Sequence, residues 1–463
     1  MKKKIKISLF VFIVIGVVIL NITYKNKNEV TKNKQRKQNN LAIMVKEDGA
    51  SDYTKSTSKD IPIGNYVLNE EKTHCENNGK ILNYDNTTGK VSFSFIGSDR
   101  CYLYFDYYKE PVGYEIIIAN NGGKGAIEAK GTPDFSKVAT ENEGMYAADD
   151  DLGTSYYFRG AVNNNWVKFG KDSGGNDIYW RIIRINGNGS IRMIYSGTTT
   201  PDSTTAIVMT GDGTQIGLSQ FNSNYNNPSY AGYMYTIGQQ HGTSTSSAIK
   251  TIIDDWYTST TLETDTSTKA LVSQDQIYCN DRSVTSGSYS TTGSFGYAAV
   301  TRLSTNPSPI LTCSTESDKF TSKNSSIGNK VLDYPVGLIT VDEVAMAGNI
   351  YGASMYNSSY YLYTNKNYWT GTPANYDRAQ VMLFLVNSSG DIYHYYPETY
   401  YGVRPVISLS SSVKLSGDGT WNNVYTVSWD LLVNMEWVDK FVPYFLIFRK
   451  VNLFCGKSVT FCL

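Results

Sequence analysis

Apolar positions change their spacing several times along the chain, and each change marks a different kind of segment. The first is an apolar run from Ile7 to Tyr24, preceded by Lys2, Lys3, Lys4 and Lys6. As a helix rising ~1.5 Å per residue it reaches about 27 Å, close to the ~30 Å hydrocarbon core of a bilayer. The run exceeds most signal-peptide apolar regions. Its exit, Asn21-Ile22-Thr23-Tyr24-Lys25, lacks the small-x-small site that signal peptidase requires, so a retained anchor is expected over residues 1–24. From Lys25 to about Lys59 the chain is rich in Lys, Asn, Ser and Thr, which predicts a disordered stalk over 25–60.

Alternation with period two then appears in Val91-Ser92-Phe93-Ser94-Phe95, followed by the dense run Cys101 to Phe105. Turn chemistry precedes it in Tyr84-Asp85-Asn86-Thr87-Thr88-Gly89, and the expectation is a small β domain over 61–119. Asn120-Asn121-Gly122-Gly123-Lys124-Gly125 opens an expected linker over 120–143. The main domain is expected over 144–427. Within it, Tyr179 to Asn186 and Ser190 to Tyr195 predict a hairpin around Gly187-Asn188-Gly189. Ile249, Ile252, Ile253 and Trp256 recur at helical spacing. A second helix, Val341 to Ala347, has Thr340 as cap, Glu343 completing a capping box and Gly348 as stop. Gln380 to Val386 and Val403 to Leu409 are the most apolar strands of the last third, so the fold class is α+β with strands dominant. After Val427 the chain turns apolar and aromatic, but Phe441 to Phe448 is too short to span a bilayer. Two readings stand for 428–463: an added packed element, or a frameshifted end.

Composition narrows the setting. Formal charge is +0 and the basic residues gather near the N-terminus, so no basic stripe exists for a phosphate backbone and nucleic acid is not an expected partner. Charged residues are only 18% of the chain, beside 39 glycines and 37 tyrosines, as in secreted β-rich proteins. The six cysteines lie in neighbouring pairs, Cys75 with Cys101, Cys279 with Cys313 and Cys455 with Cys462, without C-x-x-C spacing. Local disulfides in an oxidising compartment are expected for the first two pairs, with buried free thiols as the alternative. Lysines flank both ends of the apolar run, so cysteines and composition, rather than flanking charge, place the body outside the cell.

Candidate chemistry is sparse. His74, His241 and His394 stand in separate segments with no spaced partner, which predicts structural or surface roles. Asp149-Asp150-Asp151 lacks the alternating spacing of a calcium loop and reads as a solvated turn. Arg159, Arg181, Arg184 and Arg192 sit among aromatics, where stacking or buried pairing is expected. Neither a catalytic set, a metal site nor a cofactor is expected. The segment Tyr368 to Pro405 interleaves apolar strand residues with Tyr, Asn, Ser, Asp and His, the mix that recognition surfaces use. The expected binding residues are Tyr376, Asp377, Tyr393, His394, Tyr395, Tyr396, Tyr400 and Tyr401. A merely solvated polar strand face is the competing reading.

Tyr368-Trp369-Thr370 and Gly402-Val403-Arg404-Pro405-Val406 resemble the closing strands of C-type-lectin-like domains related to the formylglycine-generating, sulfatase-modifying fold. Tyr156 to Gly160, Asn165 to Phe169 and Trp180 to Arg184 look like uncharacterised surface proteins of low-GC Gram-positive gut bacteria. The resemblance covers about Gly144 to Val427 and implies a lectin-like main domain. No cysteine lies in Tyr368 to Leu409, where the formylglycine-generating enzymes keep a redox-active one, and only Pro397-Glu398-Thr399 comes near the calcium-ligand motifs of sugar-binding lectins. The leading expectation is an anchored extracellular adhesin for a glycan or protein, with a retroelement-diversified lectin-fold receptor as a variant. A structural envelope protein without a ligand is the second reading and a hydrolase the third.

Overall fold

The computed structural model describes residues 40–428 apart from 59, 86–87, 95–98 and 353–354. The expected anchor at 1–24, the first part of the stalk and the tail from 429, with Cys455 and Cys462, lie outside the described residues. Among the described residues no helix is long and apolar enough to cross a membrane. The fold is strand-dominated α+β, in two compact units that divide between Glu110 and Pro111.

The first unit is built on the strand Arg100–Tyr107, whose alternation buries Cys101, Leu103 and Phe105. Its parallel neighbour is Asn40–Lys46, in a register that sets Ile43 beside Leu103 and Val45 beside Phe105. The middle of the expected stalk is therefore a sheet strand. The apolar residues of Leu41-Ala42-Ile43-Met44-Val45 were diluted by their polar surroundings, yet burying Ile43 and Val45 stabilises by roughly 1.5 to 3 kcal/mol each. Thr54–Lys55, Tyr66–Leu68 and His74–Cys75 complete the sheet, and a hairpin, Lys80–Asp85 with Lys90–Ser94, forms at the predicted turn. Cys75 and Cys101 are direct cross-strand partners and are joined by a disulfide.

In the second unit, Gly113–Asn120 and Gly123–Glu128 are helices where the small domain was expected to end and a linker to begin. Ile117, Ile118 and Ile127 reach the main core, so burial outweighs the local glycine content. An eight-stranded sheet carries the predicted hairpin, Asp177–Ile185 with Ile191–Tyr195, flanked by Val406–Leu409 on one side and by Trp166–Lys171 and Gly153–Gly160 on the other. Gly187 is required there, because a Cβ would lie 2.3 Å from the Gly153 nitrogen.

A seven-stranded sheet centres on Tyr368–Asp377, paired with Val381–Val386, which in turn pairs with the edge strand Ile392–Tyr395. Residues of both sheets share one apolar cluster. The predicted helices form as Ala248–Ser259 and Val341–Met346, the latter with both bonds of its capping box. Ile252 departs from expectation: it is 40% exposed, and Ile249, Ile253 and Tyr257 carry the buried stripe instead. A second disulfide joins Cys279 to Cys313.

Candidate functional site

Charged side chains first draw attention in the interior, where the arginines noted in the sequence meet buried carboxylates. Arg184 donates to Asp150 at 2.5 Å and to Glu343 at 2.9 Å, and Arg192 lies 2.6 Å from the same Glu343 oxygen. Beside them Arg302 forms a fork with Asp342, two bonds of 2.8 Å, and reaches Asp281 at 3.1 Å. Burial alone would raise the Glu343 carboxyl, but the Arg192 and Arg184 charges and the Thr340 backbone hold it at about 2. The cavity these groups line measures about 30 Å³, room for about one or two waters and nothing larger. This cluster fastens elements together. It also corrects the aspartate reading: Asp150 is buried on Arg184, and Asp151 holds Lys319 and the Cys313 backbone, so of the three Asp149 alone is solvent-exposed, and it lies on the strand Asn142–Asp150 rather than in a turn.

Arg181 differs, being wholly buried on neutral acceptors: Asn165 Oδ1, and the carbonyls of Val162 and Ile207, with its guanidinium over the Trp166 ring. Burial lowers it to about 9. Arg159 and Arg192 likewise lie over Phe135 and Tyr278. These arginines organise backbone rather than bind a ligand.

An open groove of about 620 Å³ lies instead beside the edge strand Ile392–Tyr395, within the usual range for ligand sites. Tyr351, Tyr356, Tyr393 and His394 supply its aromatic walls, with Asp391, Asn387, Ser389 and Ser304 between them. His394 Nδ1 faces the Tyr351 hydroxyl at 3.1 Å, and the His394 ring stacks on Tyr393 with 7° between planes. Burial holds His394 below its ordinary value, so the ring is neutral near pH 7.

A tight turn mounts Asp391. Asn387 Oδ1 accepts from the Ser389 and Asp391 backbones at 2.9 Å each, and its amide donates to Asp391 Oδ2 at 3.3 Å. Gly390 closes the turn with φ of 86°, and a Cβ there would sit 2.0 Å from the Asn357 carbonyl oxygen. Asp391 is 6% exposed, its Oδ1 has no hydrogen-bond partner, and burial raises its carboxyl.

The eight residues expected to bind are divided by the fold. Tyr376 is corrected: it is 2% exposed, with its hydroxyl on the Thr291 and Arg378 carbonyls, because its place on the central strand turns it into the core. Asp377 is exposed and accepts from the Ala379 and Gln380 backbones in a turn. Tyr393 and His394 line the groove. Tyr395 continues the exposed face toward Tyr401, 6.0 Å away between ring centres, and Tyr400 is 62% exposed. Tyr396 turns aside to Tyr225. Sequence reasoning did not single out Asp391, Tyr351 or Tyr356. Asp391 was visible only as the end of Asn387-Ser388-Ser389-Gly390, a turn signal that says nothing of its burial.

Comparison with protein-family models, with curated proteins and with solved structures finds no match.

Proposed function

We infer that the protein is a binding protein displayed outside the cell, anchored by its N-terminal apolar run, and that the large unit recognises a glycan or protein through the aromatic face around Ile392–Tyr395. One observation carries this reading. Tyr393, Tyr395 and Tyr400 are exposed, and none of their hydroxyls has a partner among the described residues. Large, rigid aromatic surfaces with free hydroxyls give contact area and hydrogen bonds at low entropy cost. Two disulfides agree with an oxidising location.

Binding is also better supported than hydrolysis at this groove. Asp391 is the single carboxylate among the described residues lining it, whereas glycoside hydrolysis uses a facing pair. Replacing Tyr393, Tyr395 and Tyr400 together by alanine should abolish binding to glycan arrays and host-cell surfaces while leaving the melting temperature within a few degrees. Undiminished binding by that folded variant would show that another face, or none, is used.

A further inference from the structure

We propose that the groove beside Ile392–Tyr395 is a saccharide subsite in which Asp391 accepts a hydrogen bond from a ring hydroxyl of a neutral sugar while Tyr393 packs against the sugar's apolar face. This deepens the binding reading above and rests on it. The first ground is Asp391 Oδ1, a buried acceptor with no partner in a turn where the Asn387 side chain already holds the Asp391 backbone and its other carboxylate oxygen. Buried polar atoms in folded proteins are almost always paired, so an orphan in a groove wall marks a place where a ligand donor completes the pairing. The last torsion of an aspartate is broad, so a partial turn carries this oxygen toward the groove that the side chain lines.

The second ground is the chemistry of the lining. Among the described residues lining it there is no Lys or Arg, and the one charge is negative, so an anionic ligand is disfavoured. Ser304 and Ser389 are exposed, and their hydroxyls join that of Tyr356 as groups able both to donate and to accept. A polyhydroxylated ring uses both capacities, whereas an ammonium group uses acceptors alone. A cage for an ammonium also needs several free ring faces. Here the His394 ring stacks on Tyr393, and Tyr351 is packed edge-on against Phe384, so the open ring faces are those of Tyr393 and Tyr356, two platforms for a flat ring rather than a closed cage.

The test uses the full-length protein, both purified and on cells. A panel of neutral hexose and N-acetylhexosamine oligosaccharides is screened beside sialylated and sulfated glycans and choline, and affinity for the best ligand is then measured by calorimetry. Neutral saccharides are expected to bind. Asp391→Asn puts a donor where the acceptor stood and should weaken binding about tenfold or more, with the melting temperature unchanged or raised. Tyr356→Ala, at a position 62% exposed and so without risk to folding, should weaken it several-fold. Preference for choline or for anionic glycans overturns the proposal. So does neutral-sugar binding that survives both substitutions; if that binding is lost in the Tyr395 and Tyr400 variants, the aromatic-face reading stands and the Asp391 subsite alone falls. No binding to any member of the panel overturns the subsite, and cell binding then decides the broader reading.

Discussion

Single residues in this protein are decided by whether their polar atoms find partners. Glu343 is held at about 2, against an ordinary 4.5, by Arg192 and Arg184 acting against burial. Its contribution to stability is therefore complete above pH 4.5 and is lost as pH falls through about 2. Glu343→Gln leaves two buried guanidiniums short of a counter-charge and should cost about 3 to 5 kcal/mol in denaturant unfolding at neutral pH. A loss below 1 kcal/mol, on the ~1 kcal/mol scale of exposed pairs, would mean that the arginines are neutralised by other groups. His394 has the opposite chemistry and the same direction. Burial depresses it below 6.5, so the unfolded chain takes up the proton more readily. Its stabilisation is full above pH 6.5 and declines as pH drops through the lower folded value. Melting temperatures followed through this window should fall in the wild type, and the His394→Gln variant should show a flatter profile. Equal slopes would place the titrating group elsewhere.

Helices and strands follow local rules where caps and alternation are strong. Thr340 accepts from the Glu343 backbone at 3.1 Å and the Glu343 carboxylate accepts from the Thr340 backbone at 3.0 Å, so the cap predicted from sequence also places the carboxylate used by the buried network. Thr340→Ala should cost about 1 kcal/mol, whereas Thr340→Ser should cost a few tenths. Equal losses for the two, read from chemical unfolding, would show that methyl packing rather than the cap is at stake. The paired strands of the first unit depend on the Cys75–Cys101 bridge, which spans 26 residues. In the chain-entropy account such a bridge restricts the unfolded state by about 3 to 4 kcal/mol. Because this unit has a small apolar cluster, Cys75→Ala with Cys101→Ala should unfold it first. Loss of protection in hydrogen exchange across Arg100–Tyr107 is the signature to seek, and intact protection would assign the bridge a minor role.

For the whole molecule, the division at Glu110 and Pro111 makes a direct prediction, since the second unit has its own core. A chain running from Pro111 to Ser428 should fold alone and unfold cooperatively. Ending it at Ser410 removes Lys414–Ser416 and Tyr425–Ser428, the strands that cover the edge of Trp166–Lys171. That shorter chain should aggregate or bind a hydrophobic dye, because Val167 would lose its cover. A soluble, cooperative product from the shorter chain would show those strands to be dispensable.

The sequence by itself determined what depends on near neighbours. Helical spacing and a capping box located Ala248–Ser259 and Val341–Met346, and paired glycines located the hairpin at residues 187–189. Cysteines close in sequence proved close in space, because a single local sheet or loop brings each described pair together. Strand dominance was legible for the same reason. Burial was not, since it is set by which segments arrive from far away. Tyr376 and Tyr393 look alike along the chain, yet one lies on the central strand with its hydroxyl capped by two carbonyls and the other stands on an exposed edge. Asp150 and Asp151 read as a solvated turn until Arg184 and Lys319 reached them from other elements. The groove is the extreme case: Tyr351 and Tyr356 come from one segment and Asp391 and Tyr393 from another, so only tertiary packing assembled it.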